Sequence, residues 1–143
     1  MQQIVLEKKY FSPTGNSDGG ALEIECDPPQ IQQAIVALLV NAVEAMPEGG
    51  TLTIETGKQN DSIVCIRIAD TGCGISEADT SKIFEPFYTT KDAVSGTGLG
   101  LSIVYGIARN HGGDIQVQSV PGQYSIFSLT LPIHAPVTID MIA

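Results

Sequence analysis

At 143 residues, with 43% hydrophobic and 16% charged residues, the chain is long enough for one domain with a real core and short for two. Its formal charge of -9 excludes the basic footprint of a nucleic-acid binder, and the molecule's overall field would not draw in an anionic ligand. Any phosphate site has to be made locally, from backbone N–H groups, a helix N-terminus and a metal ion.

In chain order, residues 5–10 read as a strand and 12–20 (SPTGNSDGG) as a turn-rich loop. Apolar and polar residues alternate over 21–26, which predicts a second strand. The clearest helix covers 27–46. Asp27 suits its N-cap, Pro28 the first helical position, and Gln30 the capping box. Ile31, Ala34, Ile35, Leu38, Ala42 and Ala45 recur at helical spacing, with Asn41 at the edge of their stripe, one turn after Ala37. The helix stops at Pro47 to Gly50. Strands follow over 51–56 and 62–69 around a 57–61 turn, with Val64, Ile66 and Ile68 on one side of the sheet. A short helix is expected over 76–84. The stretch 85–98 is a long connection rich in Thr, Lys, Ser and Gly, of the functional or mobile kind. A second strong helix covers 99–111 and ends at Gly112-Gly113. Closing strands cover 114–119 and 124–131, with Phe127, Leu129 and Leu131 pointing inward. The domain is placed at 1–133 and a C-terminal tail at 134–143. Helices interleaved with a hairpin-connected sheet predict an α+β fold, a two-layer α/β sandwich.

The three cysteines, Cys26, Cys65 and Cys73, have no paired spacing and no C-x-x-C zinc motif, which points to a reducing compartment. No signal-peptide pattern opens the sequence, and the longest apolar run, 34–40, falls far short of the roughly 20 residues that span a bilayer. The expectation is a soluble, cytoplasmic domain with no membrane contact of its own, whose parent protein is free to be membrane-anchored.

Four segments carry candidate chemistry. Gly96-Thr97-Gly98-Leu99-Gly100-Leu101 alternates three glycines just before a helix, so backbone N–H groups and the positive end of that helix converge on an anion. It is neither a P-loop nor a dinucleotide fingerprint, and alone it reads equally well as a flexible loop. Asp70-Thr71-Gly72-Cys73-Gly74-Ile75 puts a carboxylate at a strand end beside two glycines. An ionised Asp only accepts hydrogen bonds, so it suits the exocyclic amine of adenine and repels the guanine carbonyl; alone, it reads as an ordinary Asp-Gly turn. The Asn41 amide oxygen is a hard ligand suited to Mg²⁺, although a lone Asn on a helix face is commonly just polar surface. Phe84, Phe87 and Lys91 lie on a stretch suited to anchoring a lid, with Lys91 as a point charge for phosphate, or alternatively form a hydrophobic plug.

Taken together, in this order and spacing, the segments resemble the histidine-kinase branch of the superfamily that also holds the gyrase, MutL and Hsp90 ATP domains. The resemblance covers residues 21–132. Asn41 matches its N box, Asp70, Gly72 and Gly74 its G1 box, Phe84 and Phe87 its F box, and Gly96, Gly98 and Gly100 its G2 box. The resemblance implies a Bergerat-type fold, a mixed but mostly antiparallel sheet covered on one face by helices. It implies ATP and Mg²⁺ as cofactors. Asn41 would hold the metal, with Ala45 beside it. Asp70 would read the adenine amine, framed by Gly72, Gly74 and Ile75. Gly96, Thr97, Gly98, Leu99, Gly100 and Leu101 would meet the phosphates, and Phe87 and Lys91 would belong to the lid. It also implies transfer of the γ-phosphoryl group to a histidine on a separate helical dimerisation domain, and from there to a response regulator.

The sequence departs from the pattern at four places. Ala37 stands where a second Asn is common and where gyrase-like relatives carry an acidic base, so an efficient hydrolase is not expected. Glu44 stands where many kinases have Lys. Tyr124 replaces a glycine of the closing G-x-G-[ST] segment, while Ser125 keeps the hydroxyl. Cys73 sits between the two G1 glycines. Neither His111 nor His134 has the context of a phosphoacceptor, so the chain is expected to be the catalytic part of a longer kinase. A regulatory nucleotide-binding module with weak or no kinase activity is the alternative.

Overall fold

Residues 4–11, 23–85 and 100–134 are described by a computed structural model, residues 7–11 by their backbone only. In chain order the elements are β1 (Ile4–Phe11), α1 (Pro28–Glu44), β2 (Gly50–Lys58), β3 (Ile63–Asp70), α2 (Glu77–Thr80), α3 (Gly100–Asn110), β4 (Asp114–Val120) and β5 (Tyr124–Pro132). They form one mixed sheet in the order β1-β2-β3-β5-β4. Only β1 and β2 run parallel, and α1 lies between them in sequence. The β2–β3, β3–β5 and β4–β5 pairs are antiparallel. This is the expected α+β sandwich, since a parallel pair needs a crossover and the hairpins do not.

Side-chain alternation sets the core. Ile54, Ile68, Phe127 and Val117 form one cross-strand row, and Thr56, Ile66, Leu129 and Ile115 the next. Leu129 is fully buried and Phe127 is 1% exposed. Onto this face α1 brings Ile31, Ala34, Leu38 and Ala42, and α3 brings Val104, Ile107 and Ala108, all in one cluster. The opposite face is polar enough to carry a cross-strand pair, Arg67 Nη1 to Glu55 Oε2 at 3.8 Å.

The start of α1 and the end of α3 are set by side-chain chemistry. Asp27 caps α1 by accepting the Gln30 N–H at 3.4 Å, and Pro28 opens the helix. The expected capping box takes another form. The Gln30 side-chain amide reaches the Asp27 carboxylate at 3.1 Å, and the Asp27 N–H donates instead to Nε2 of His111, also at 3.1 Å. Nδ1 of His111 lies 2.8 Å from the Ile107 carbonyl. A ring that donates at Nδ1 and accepts at Nε2 is the neutral tautomer, and it ties the end of α3 to the start of α1. Gly112 then turns the chain at φ 74°.

The strand expected over 21–26 is a correction. Residues 23–26 are irregular, and residues 21 and 22 lie outside the described residues. The alternation there has another cause: Ile24 and Cys26 are partly buried against the core, while a single ladder-like bond joins the Glu25 N–H to the Ile133 carbonyl at 2.8 Å. The connection expected over 85–98 lies outside the described residues from 86 onward, as does the tail from 135.

Because Leu129 is fully buried in the central row, Leu129→Ala is expected to cost about 2–5 kcal/mol of stability. Urea unfolding followed by circular dichroism measures it, and a loss under about 1 kcal/mol would contradict this packing.

Candidate functional site

The apolar rows of the sheet end in a polar one. Leu52, Asp70, Ser125 and Ser119 stand side by side on β2, β3, β5 and β4, on the helix-facing side. Asp70 is 1% and Ser125 2% exposed, and they are the two buried polar residues among those described. A carboxylate buried this deeply needs donors, and Asp70 Oδ1 accepts the Gly72 N–H at 2.9 Å.

The turn that follows β3 is held from three sides. At the start of β2, the Thr51 N–H donates to Thr71 Oγ1 at 2.9 Å. At the end of α1, the Ala45 carbonyl accepts the Cys73 N–H at 3.0 Å. At the β4–β5 turn, the Gly122 N–H donates to the Cys73 carbonyl at 2.7 Å, and the Ile75 N–H donates to Ser119 Oγ at 2.7 Å. The glycines follow from this crowding. A Cβ on Gly72 would collide with the Ala45 carbonyl, and one on Gly74 (φ 68°) would meet the Val120 carbonyl and Pro121.

The bond to Ala45 brings α1 to the turn. Asn41 lies one turn upstream on the same helix face, its carbonyl accepting the Ala45 N–H at 3.0 Å. Ala37, a turn earlier again, is partly buried against the core and offers no ligand atom. Asn41, Ala45, Asp70, Gly72, Gly74, Ile75 and Ser125 are thus gathered around one turn. Gly100 and Leu101 begin α3, which packs beside α1. Among the described residues nothing stands within 4 Å of a Cβ placed on Gly100, and Leu101 is partly buried against the core. Phe87, Lys91, Gly96, Thr97, Gly98 and Leu99 lie outside the described residues. Phe84 is anchored, edge-on to Phe127 at 6.3 Å and 6.1 Å from the Tyr105 ring.

Ser119 belongs to this constellation and carries no signal in the sequence, where it is one serine in a strand. Only the register of β4 against β5 brings it to Ile75 and Ser125. Among the described residues no cluster of three His, Cys, Asp or Glu side chains forms a metal cage. The Asn41 amide is a single oxygen donor. That fits Mg²⁺, which takes few protein ligands and keeps water and phosphate oxygens, and it does not fit a dedicated structural ion.

The fold and the turn define a catalytic domain of the histidine-kinase type. The catalytic domain of histidine kinase ThkA, in a nucleotide-free crystal form, has a TM-score of 0.72 at 32% identity, over 90% of this chain and 81% of that one. The family described as histidine kinase-, DNA gyrase B- and HSP90-like ATPase matches residues 26–135, and the chain belongs to it. Among curated relatives, the signal transduction histidine-protein kinase AtoS of Escherichia coli is 44% identical over 111 residues, 78% of this chain. Sporulation kinase E of Bacillus subtilis is 40% identical over 111 residues, again 78% of this chain. The chain spans 18% of the first relative's length and 15% of the second's. No described helix is long and apolar enough to cross a membrane.

Two outcomes follow from the turn's geometry. Gly72→Ala is expected to lower stability by about 1–3 kcal/mol, because its methyl must displace backbone; an unchanged melting temperature would contradict the contact. Cys73 is exposed, whereas Cys65 is buried and its thiol is pushed up by that burial against the pull of Arg67. In the native protein near neutral pH, a disulfide reagent is expected to label Cys73 at least tenfold faster than Cys65. Mass spectrometry of the labelled peptides reads this, and equal rates would contradict it.

Proposed function

We propose that this chain is the catalytic, ATP-binding part of a sensor kinase, which holds Mg-ATP for phosphoryl transfer to a histidine on a separate helical domain. The observation that carries this reading is the buried Asp70 carboxylate, held by the Gly72 N–H in a turn that α1 closes from one side. In that setting Asp70 accepts from the 6-amino group of adenine, while Gly72, Gly74, Ile75 and Ala45 bound the ring. Asn41 offers its amide oxygen to Mg²⁺. Gly96, Thr97, Gly98, Leu99, Gly100 and Leu101 give backbone N–H groups to the phosphates, and Phe87 and Lys91 close over them. Bound ATP supplies the γ-phosphoryl group and Mg²⁺ offsets its charge; the protein's part is positioning. The domain is taken as 1–133, the remainder as a tail, the setting as cytoplasmic, and the onward acceptor as a response-regulator aspartate.

Calorimetry of the chain with ATP, with and without Mg²⁺, tests this. Asp70→Asn is expected to weaken ATP binding by tenfold or more, since its amide sets an N–H against the adenine amine. Asn41→Ala is expected to remove most of the gain from Mg²⁺. ATP binding untouched by Asp70→Asn would overturn the assignment. Ala37, which leaves Asn41 without a second ligand on the helix, favours a second reading, a regulatory nucleotide module. ATP binding with no phosphate appearing on the parent's helical domain in a radiolabelled ATP assay would select it.

A further inference from the structure

We infer that Ser119 is a specificity-determining residue of the nucleotide site: it fixes the direction of the Ser125 hydroxyl so that the polar row presents only hydrogen-bond acceptors to a purine. The inference rests on the ATP-site reading of Asp70 and goes beyond it to a residue that touches no ligand itself.

The argument is a count of protons. Ser119 Oγ lies 2.7 Å from the Tyr124 carbonyl oxygen. A carbonyl has no proton to give, so the Ser119 O–H is committed to that bond. Ser119 Oγ also lies 2.9 Å from Ser125 Oγ, a contact in which either hydroxyl is able to donate. Since the Ser119 proton is already engaged, Ser125 is the donor. The Ile75 N–H, at 2.7 Å, completes the set around Ser119, which thus donates once and accepts twice. A hydroxyl has one donor and two acceptor positions, so none is left over.

The consequence falls on Ser125. With its proton turned toward β4, its remaining capacity is lone pairs. Ser125 is the cross-strand partner of Asp70, so the two side chains stand on the same face, with Cβ atoms about 5 Å apart. Both are buried, at 2% and 1% exposure, so water does little to blur the pattern. An ionised carboxylate and an acceptor-only hydroxyl side by side match a group with two N–H bonds, the 6-amino group of adenine. They repel the 6-oxo group of hypoxanthine or guanine. Ser119 also receives the Ile75 N–H, so the hydroxyl that orients Ser125 also holds the far end of the Asp70 turn.

The test compares ATP with ITP, which differ at this edge of the base, by calorimetry on the full chain with Mg²⁺. Ser119→Ala frees the Ser125 hydroxyl to rotate and donate to the 6-oxo oxygen. The ATP-over-ITP preference is expected to fall about tenfold, the scale of one hydrogen bond gained and one lost. Ser119→Thr keeps the hydroxyl and is expected to keep the preference. In Ser119→Ala/Ser125→Ala no hydroxyl is left to orient, and the preference is expected to match that of Ser125→Ala alone, with no further loss from Ser119→Ala. A purely structural role would weaken both nucleotides equally, so an unchanged ratio in Ser119→Ala overturns the inference. Should Ser119→Ala not fold, Ser125→Ala alone decides: ATP weakened severalfold with ITP unaffected supports the inference, and equal losses overturn it. Wild-type protein that binds neither nucleotide would sink the ATP-site reading itself, a different result from an unchanged ratio.

Discussion

Burial of the Asp70 carboxylate at the end of an apolar sheet is the constraint on which the rest of the site depends. A carboxyl group at 1% exposure needs hydrogen-bond donors, and the Gly72 N–H supplies one. That bond bends the chain at once after β3, and the bend brings the next residues against the end of α1 and the β4–β5 turn. Gly72 and Gly74 follow from this geometry, because backbone carbonyls occupy the space that a side chain would need.

The sheet and the helices contribute differently. The sheet supplies a ruler: two apolar rows, then a polar row in which Asp70, Ser125 and Ser119 are neighbours by register. The helices supply closure. α1 reaches the turn through the Ala45 carbonyl and carries Asn41 on the same face, while α3 packs beside α1 and begins at Gly100. The neutral His111 ring, bridging Ile107 and Asp27, holds the other ends of these two helices together. Asn41 and Gly100 thus sit on two helices that pack together and are tied at their far ends.

Kinship with the histidine-kinase ATPase family explains why the site reads as a nucleotide pocket, and the departures explain what is particular to this chain. Ala37 is partly buried against the core, so that position serves packing. Tyr124, in place of a glycine, contributes its carbonyl to Ser119, a contact any residue's backbone would make. Behind it, Ser125 keeps a hydroxyl, 2.9 Å from that of Ser119.

Local chemistry made the elements legible in the sequence. The Asp27–Pro28 start of α1, its stripe of Ile31, Ala34, Leu38 and Ala42, and the inward alternation of Phe127, Leu129 and Leu131 are short-range patterns with one good structural solution. The family was legible too, because Asn41, Asp70 and the glycines stand in the order that it shares. What the sequence could not carry was anything that depends on two strands meeting. The alternation over 21–26 reads as a strand, yet only partners make a ladder, and Ile24 and Cys26 lean on the core instead. Gln30 looked like half of a capping box until His111, eighty-four residues away from Asp27, took the Asp27 N–H. Ser119 had no local mark at all. Its role exists only because β4 pairs with β5 in a register that sets it opposite Ser125, and register is decided by the packing of the whole sheet.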